Sequence, residues 1–226
     1  LRNANQRFTL KARPADMVGP EHFAAETLPV RAPGDGEALV ETLYLSIDPA
    51  MRVWINEDPG YVPPVAIGET MRASGIGRVV QSSASGLAAG ALVQGQLGWQ
   101  TLATLPASQL KALDLALGGP LDWIGALGPT GLTAFFGLKD VGGAKAGETV
   151  LVSAAAGAVG QLVGQIARLD GCRVVGIAGG AAKCDWIVRD LGFDAAIDYK
   201  AEPDLAAAIA RACPKGVDVY FDNVGG

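Results

Sequence analysis

The stretch that most constrains this chain lies at 149–166, where a short apolar run gives way to small residues and then to a helical pattern. Thr149-Val150-Leu151-Val152 is rich in β-branched residues, follows a turn at Lys145-Ala146-Gly147-Glu148, and reads as a buried strand. Ser153-Ala154-Ala155-Ala156-Gly157-Ala158-Val159-Gly160 supplies a turn, after which Val159, Leu162, Val163 and Ile166 recur at helical spacing. Strand, small-residue turn and helix open a βαβ unit of the dinucleotide-binding kind. A glycine at 157 lets the backbone approach a pyrophosphate, and one at 160 lets the new helix lie close to the sheet, with its free N–H groups facing the anion. The first glycine of the usual fingerprint is replaced by Ala155, so the pattern is Ala-x-Gly-x-x-Gly. Taken alone, it fits equally a small-residue turn that only opens a packed helix.

The whole chain narrows the choice. Its 226 residues suit one large or two ordinary domains, and with 50% hydrophobic and 18% charged residues it can bury a substantial core. A net charge of −5 leaves no basic surplus to neutralise phosphates, which argues against nucleic acid as a partner. The three cysteines (Cys172, Cys184, Cys213) and the single His22 match neither a disulfide framework nor a metal-ligand spacing, so no metal site is expected. The longest weakly charged run, 121–138, is broken by Asp122, Pro129 and glycines, which argues against a membrane span. No secretory leader is recognisable, and a cytoplasmic location is expected.

Residues 1 to about 115 read as mostly β. Strands are expected at 8–13, closed by Pro14, then at 37–47, 74–81 and 91–105, with Ser/Gly-rich turns between them, which suggests a barrel or sandwich. From 121 the period lengthens: 121–127 and 130–140 read as helix, interrupted at Gly128-Pro129. Strands at 149–153, 172–178, 194–198 and 217–222 then alternate with helices at 158–170, 181–191 and 202–213, the pattern of a parallel sheet. The expected domains are 1–120 and 121–226. A doubly wound dinucleotide fold has six strands where four are found, so the sheet is expected to be incomplete at its C-terminal side.

The second strand speaks to the cofactor. An NAD-binding protein places an acidic residue about 20 residues beyond the glycine turn, on the ribose hydroxyl. Here the chain reads Gly179-Gly180-Ala181-Ala182-Lys183, with no carboxylate before Asp185. Two glycines leave room for a ribose phosphate and Lys183 can pair with it, which favours NADPH over NADH. Lys183 is also compatible with a solvated charge in the first turn of a helix, although it would oppose the helix dipole there. Tyr199, just past the third strand, fits either a stacking or hydroxyl contact with the adenosine end or simple surface packing. Asn223, after the fourth strand, fits either a ligand contact at the carboxyl edge or a turn before the glycines.

Together, Ser46-Ile47-Asp48-Pro49-Ala50-Met51-Arg52, Gly131-Leu132-Thr133-Ala134-Phe135 and the segments 153–164, 174–183, 193–200 and 217–226 resemble the medium-chain dehydrogenase/reductase superfamily. The resemblance is to its zinc-independent prostaglandin reductase and alkenal double-bond reductase branch, and it covers nearly the whole chain. It implies an N-terminal GroES-like β-barrel followed by a Rossmann domain, with the active site in the cleft between them. It further implies NADP(H) at Gly157, Ala158, Val159, Gly160, Gly179, Lys183, Tyr199 and Asn223, with Thr133 near the nicotinamide. Thr133 is equally suited to bond a carbonyl one turn back. A homodimer of the full-length protein is expected.

Zinc alcohol dehydrogenases of the same superfamily have a Gly-His-Glu stretch where this chain has Ile67-Gly68-Glu69, and His22 reads as an exposed strand or loop residue. Two positions depart from the branch: Ala50 stands where a tyrosine lines the substrate cleft, and Pro129 where a methionine is common. Tyr61, in an apolar Pro-rich loop, is a candidate replacement ring or a packing residue. The resemblance implies an NADP-dependent oxidoreductase acting on CH–CH bonds, which reduces the C=C bond of an α,β-unsaturated aldehyde or ketone by hydride transfer without metal. The developing enolate then needs preorganised donors; no catalytic acid is identifiable in these residues. A zinc-free quinone reductase and a non-catalytic NADPH-binding protein are the alternatives.

Overall fold

Alternating apolar and polar side chains build the first half of the molecule from antiparallel strands. The computed structural model describes residues 4–225, and the chain divides into two units, with the boundary between Ile124 and Gly125. In the first, β1 (Ala4–Leu10) pairs with β2 (Phe23–Pro29) along its full length. Then β3 (Glu37–Leu45), β4 (Ser74–Ser82), β5 (Leu92–Gln96), β6 (Leu102–Pro106) and β7 (Lys111–Ala112) form an antiparallel sheet in the order β6-β3-β4-β5-β7. Register shifts in β3 after Leu39 and after Thr42 bend this sheet, and bridges Arg7↔Gln100 and Thr9↔Thr70 tie β1 to it. Val40, Val79, Val93 and Leu97 fill one core, and Leu10, Ile55, Val65 and Met71 a second. Two short helices, α1 (Ala50–Trp54) and α2 (Pro120–Ile124), complete the unit.

Three expectations need correction here. The stretch 91–105 is not one strand: the chain turns at Gly98 (φ +70°) and crosses the sheet, because β5 and β6 lie on opposite sides of the β3-β4 pair. The strand at Phe23–Pro29 was not anticipated, although it supplies the entire partner of β1. His22 is not exposed: it ends a 3-10 turn (Pro20–His22), its side chain is 15% accessible, and its Nδ1 lies 3.0 Å from the Gly19 amide nitrogen.

The second unit follows the expected alternation closely. The expected interruption is present, and after it Pro129 occupies the first position of α3 (Pro129–Phe136), where its missing N–H costs nothing. A wide turn at Gly137–Val141 follows, closed by Gly142 N–H on the Gly137 carbonyl at 2.8 Å. Then come β8 (Thr149–Val152), α4 (Ala158–Leu169), β9 (Arg173–Ala178), α5 (Ala181–Arg189), β10 (Ala195–Asp198), α6 (Leu205–Ala212) and β11 (Val219–Phe221). The strands are parallel in the order β10-β9-β8-β11, which is third-second-first-fourth, four of the six strands of a doubly wound sheet.

Side-chain alternation sorts the two faces. Val150, Val152 and Val174 join Val163 and Ala167 of α4 and Ile187 of α5 in one core, whereas Leu151, Val175, Ile177 and Ile197 meet Ala208 of α6 in the other. Each fully buried branched side chain contributes roughly 1.5–3 kcal/mol, so a strand apolar on both faces is held from both sides.

One ion pair of the first unit makes a pH prediction. The Arg31 guanidinium, at 2.8 Å, and the Gly34 N–H, at 2.9 Å, hold the Glu37 carboxylate, and Arg31 first and Gly34 second lower its pKa to about 2. The folded value lies below the unfolded one, so the contribution is complete above about pH 4.5 and disappears as pH falls toward 2. Glu37→Gln should therefore lower the urea midpoint at pH 7 and leave a flatter stability profile between pH 4.5 and 2; an unchanged profile would refute the assignment.

Candidate functional site

Ligands of open α/β sheets sit beyond the carboxyl ends of the strands, where neighbouring connections leave to opposite faces. A cleft of about 530 Å³ opens there in the second unit, lined by residues that follow β8, β9, β10 and β11, including Ala154, Gly157, Gly179, Lys183, Tyr199 and Val224. It brings four of the expected cofactor residues, Gly157, Gly179, Lys183 and Tyr199, to one place.

The turn after β8 sets the first wall. Gly157 N–H bonds the Ala154 carbonyl at 2.8 Å, closing the turn, and Gly157 is the N-cap of α4. With no side chain at the cap, the N–H groups at the start of the helix, those of Ala158, Val159 and Gly160, are left for an anion. The expected residues Ala158, Val159 and Gly160 open that helix and are not among the residues that line the cleft. Gly160 lies against the Ala154 carbonyl and Ala155 Cα, where a Cβ would not fit. The fingerprint reading placed the first special position at Ala155, but Ala155 is a core residue whose N–H bonds the Ile177 carbonyl. The left-handed residue is Ala154, at φ +44°.

The second wall follows β9 and β10. Gly180 (φ +99°) is the N-cap of α5, again without a side chain, and its N–H donates to Asp198 Oδ1 at 2.8 Å. Lys200 N–H donates to the same oxygen at 3.0 Å, so Asp198 fixes the ends of both strands. The Tyr199 ring lies over Gly179, where a Cβ would come within 2.8 Å of it; the glycine therefore seats the ring. Lys183 stands exposed in the first turn of α5 and forms no ion pair among the described residues. In contrast, α6 is capped by Asp204 Oδ1 accepting from Ala207 N–H at 2.9 Å.

Other expected residues lie elsewhere. The Asn223 side chain does not line the cleft: its Nδ2 donates to the Ser153 carbonyl at 2.9 Å. Thr133 Oγ1 donates to the Pro129 carbonyl one turn back at 2.7 Å. Ala50 begins α1 in the first unit, and the Tyr61 hydroxyl accepts from Trp54 Nε1 at 2.8 Å at the other end of that helix. Sequence reasoning missed Ser153, Asp222 and Tyr220, which form a hydrogen-bonded seam at the cleft's edge. The signal available was a serine ending β8 opposite an Asp-Asn pair ending β11.

Among the described residues, no group of three or more His, Cys, Asp or Glu side chains is placed to hold a metal ion. The three thiols are separate, and burial pushes each one's pKa up, away from the thiolate that a metal or a nucleophilic role requires.

Two family models match the chain: one described as the N-terminal domain of oxidoreductase, over residues 6–113, and one described as zinc-binding dehydrogenase, over residues 158–226. The NADPH-dependent curcumin reductase of Escherichia coli is 45% identical over 222 residues, covering 98% of this chain and 64% of that protein. Prostaglandin reductase 1 of Bos taurus is 41% identical over 227 residues, covering 97% of this chain and 65% of that protein. The crystal structure of CurA in complex with NADPH from Vibrio vulnificus superposes with a TM-score of 0.91 at 40% identity, over 98% of this chain and 65% of that one. The chain thus spans a little under two thirds of the length of these relatives.

The strain at Ala154 is testable. A left-handed alanine costs about 1–2 kcal/mol, and a glycine there loses roughly 0.5–1 kcal/mol through the unfolded chain. Ala154→Gly should raise stability by up to about 1 kcal/mol. A fall in the thermal midpoint would show that the alanine methyl contributes packing that outweighs its backbone cost.

Proposed function

Because the chain belongs to the medium-chain dehydrogenase/reductase family, we propose that it is the larger part of an NADPH-dependent reductase of α,β-unsaturated aldehydes and ketones. The observation that carries the cofactor choice is the corner at Gly179, Gly180, Lys183 and Tyr199, where a lysine free of any ion pair faces a glycine-lined space. A ribose phosphate placed there meets a cation and a phenol, and the uncapped start of α4 receives the pyrophosphate. The dinucleotide then runs from the ends of β9 and β10 to the ends of β8 and β11, where Asn223 stands.

When bound, NADPH supplies a hydride to the electron-poor carbon of the conjugated C=C bond. This chain's residues bind and orient: Gly157, Ala158, Val159 and Gly160 hold phosphate oxygens, and Lys183 and Tyr199 hold the phosphorylated ribose. Thr133 and Asn223 are proposed as further cofactor residues, and Ala50 and Tyr61 as substrate residues. His22 and the three cysteines do not supply the donor set that a catalytic zinc requires, so the reading is of hydride transfer without metal. Relatives named for the reduction of curcumin, prostaglandin and 2-alkenals are 41–45% identical, which supports this substrate class over quinones. We further propose a cytoplasmic homodimer for the complete protein.

Initial rates of NADPH oxidation with trans-2-alkenals and with quinones test the activity in the complete protein. Turnover of alkenals is expected, and turnover of quinones alone would overturn the reading. Lys183→Glu should weaken NADPH binding by about tenfold or more, the loss of a charge-assisted bond, and leave NADH binding nearly unchanged. Equal losses for both cofactors would remove Lys183 from the phosphate site.

A further inference from the structure

Ser153 is buried at the end of β8, immediately before the strained turn, and every polar group it has is committed to the residues that end β11. Its N–H donates to the Phe221 carbonyl at 3.1 Å, continuing the parallel ladder. Its hydroxyl donates to Asp222 Oδ1 at 2.6 Å and accepts from the Asn223 N–H at 2.7 Å. Its carbonyl accepts from Asn223 Nδ2 at 2.9 Å. Asp222 extends the seam: Oδ1 also accepts from the Tyr220 hydroxyl at 3.1 Å and the Val224 N–H at 3.0 Å, and Oδ2 from the Gly225 N–H at 3.0 Å.

The cleft therefore has two ends with separate supports. Asp198 fixes the end after β9 and β10, through Gly180 and Lys200. Ser153 and Asp222 fix the end after β8 and β11, where Tyr220, Val224 and Gly225 line the wall. No hydrogen bond among the described residues links the Asp198 pair to the Ser153 seam. A dinucleotide that presents its phosphorylated ribose to Lys183 reaches the Ser153 end with its other half.

We infer that Ser153 is a positioning residue for the nicotinamide half of the dinucleotide: its hydroxyl holds the loop 222–225 in register with the turn 154–157, while the adenosine half binds independently of it. This rests on the dinucleotide reading of the cleft. The hydroxyl is suited to the task because it both donates and accepts; alanine would leave the Asn223 N–H without its partner and release Asp222 from β8.

The test is calorimetric titration of the complete protein and its Ser153→Ala and Ser153→Thr variants with two ligands, NADPH and adenosine 2′,5′-bisphosphate. In Ser153→Ala, NADPH should bind about tenfold more weakly, as expected for one lost hydrogen bond with its orphaned partner, and the bisphosphate should stay within about twofold. Ser153→Thr, which keeps the hydroxyl, should restore NADPH affinity. A purely structural role predicts parallel losses for both ligands, and that result, or no loss for either, overturns the inference. Where Ser153→Ala does not fold, Asp222→Ala makes the same comparison, because it removes the acceptor of the Ser153 hydroxyl and releases the loop 222–225 from it. Should the parent protein bind neither ligand, the cofactor assignment itself fails and the inference falls with it; an NADPH-binding parent with unselective variants condemns the inference alone.

Discussion

Helix α4 packs so closely on its surroundings that two of its positions have no room for a side chain. At Gly160 the neighbour is the backbone of Ala154 and Ala155; at Gly164 it is the ring of Phe193. This close approach is what the rest of the unit depends on. It lets Val163 and Ala167 reach Val150, Val152 and Val174 and close the core on that face. Beside it, the chain passes from β8 to α4 through residues 153–157 alone, with Ala154 in the left-handed region and Gly157 as the cap. The helix start with its free N–H groups and the tightly packed glycine Gly160 thus lie within one turn of each other. A helix set farther from the sheet would allow a longer, ordinary turn, and its first N–H groups would no longer point along the strand ends.

That dependence explains what could be read from the sequence and what could not. The alternation of strands at 149–153, 172–178, 194–198 and 217–222 with three amphipathic helices was legible because the strands are short apolar runs and each helix is apolar on one face. Lys183 and the glycines before it were legible for the same local reason: they directly follow a recognisable strand. Ala154 was not, because a left-handed alanine is indistinguishable in sequence from the alanines on either side. Ser153 was hidden differently: its partners are about 70 residues away, and only the parallel pairing of β8 with β11 brings them together. In the first unit the stretch 91–105 misled because Gly98 is a weak break signal, and the crossing to the far edge is decided by sheet order. β2 escaped notice because its register is set by β1, with little alternation of its own: Phe23 and Ala24 are half-buried, while Leu28 and Pro29 are exposed.

The acidic balance of the chain, −5 overall, looks at first ill-suited to a ligand with several phosphates. The resolution lies in how the carboxylates around the sheet are used. At the amino ends of the strands, Asp194 accepts from the Val174 N–H at 2.7 Å and Asp218 from the Thr149 N–H at 2.8 Å, each starting a strand. At the carboxyl ends, Asp198 is bonded by Gly180 and Lys200, and Asp222 by Ser153, Tyr220, Val224 and Gly225. These bonds, the Ser153 hydroxyl foremost, lower the Asp222 pKa and spread its charge into the surrounding dipoles. What remains unneutralised at the cleft is of the opposite sign: two uncapped helix starts, at Gly157 and Gly180, and Lys183. Since screening by about 8 Å of physiological salt solution makes distant surface charge nearly irrelevant, the local field decides which ligand is accepted. An acidic protein can therefore hold a polyanion, provided that its carboxylates near the site are spent on its own backbone.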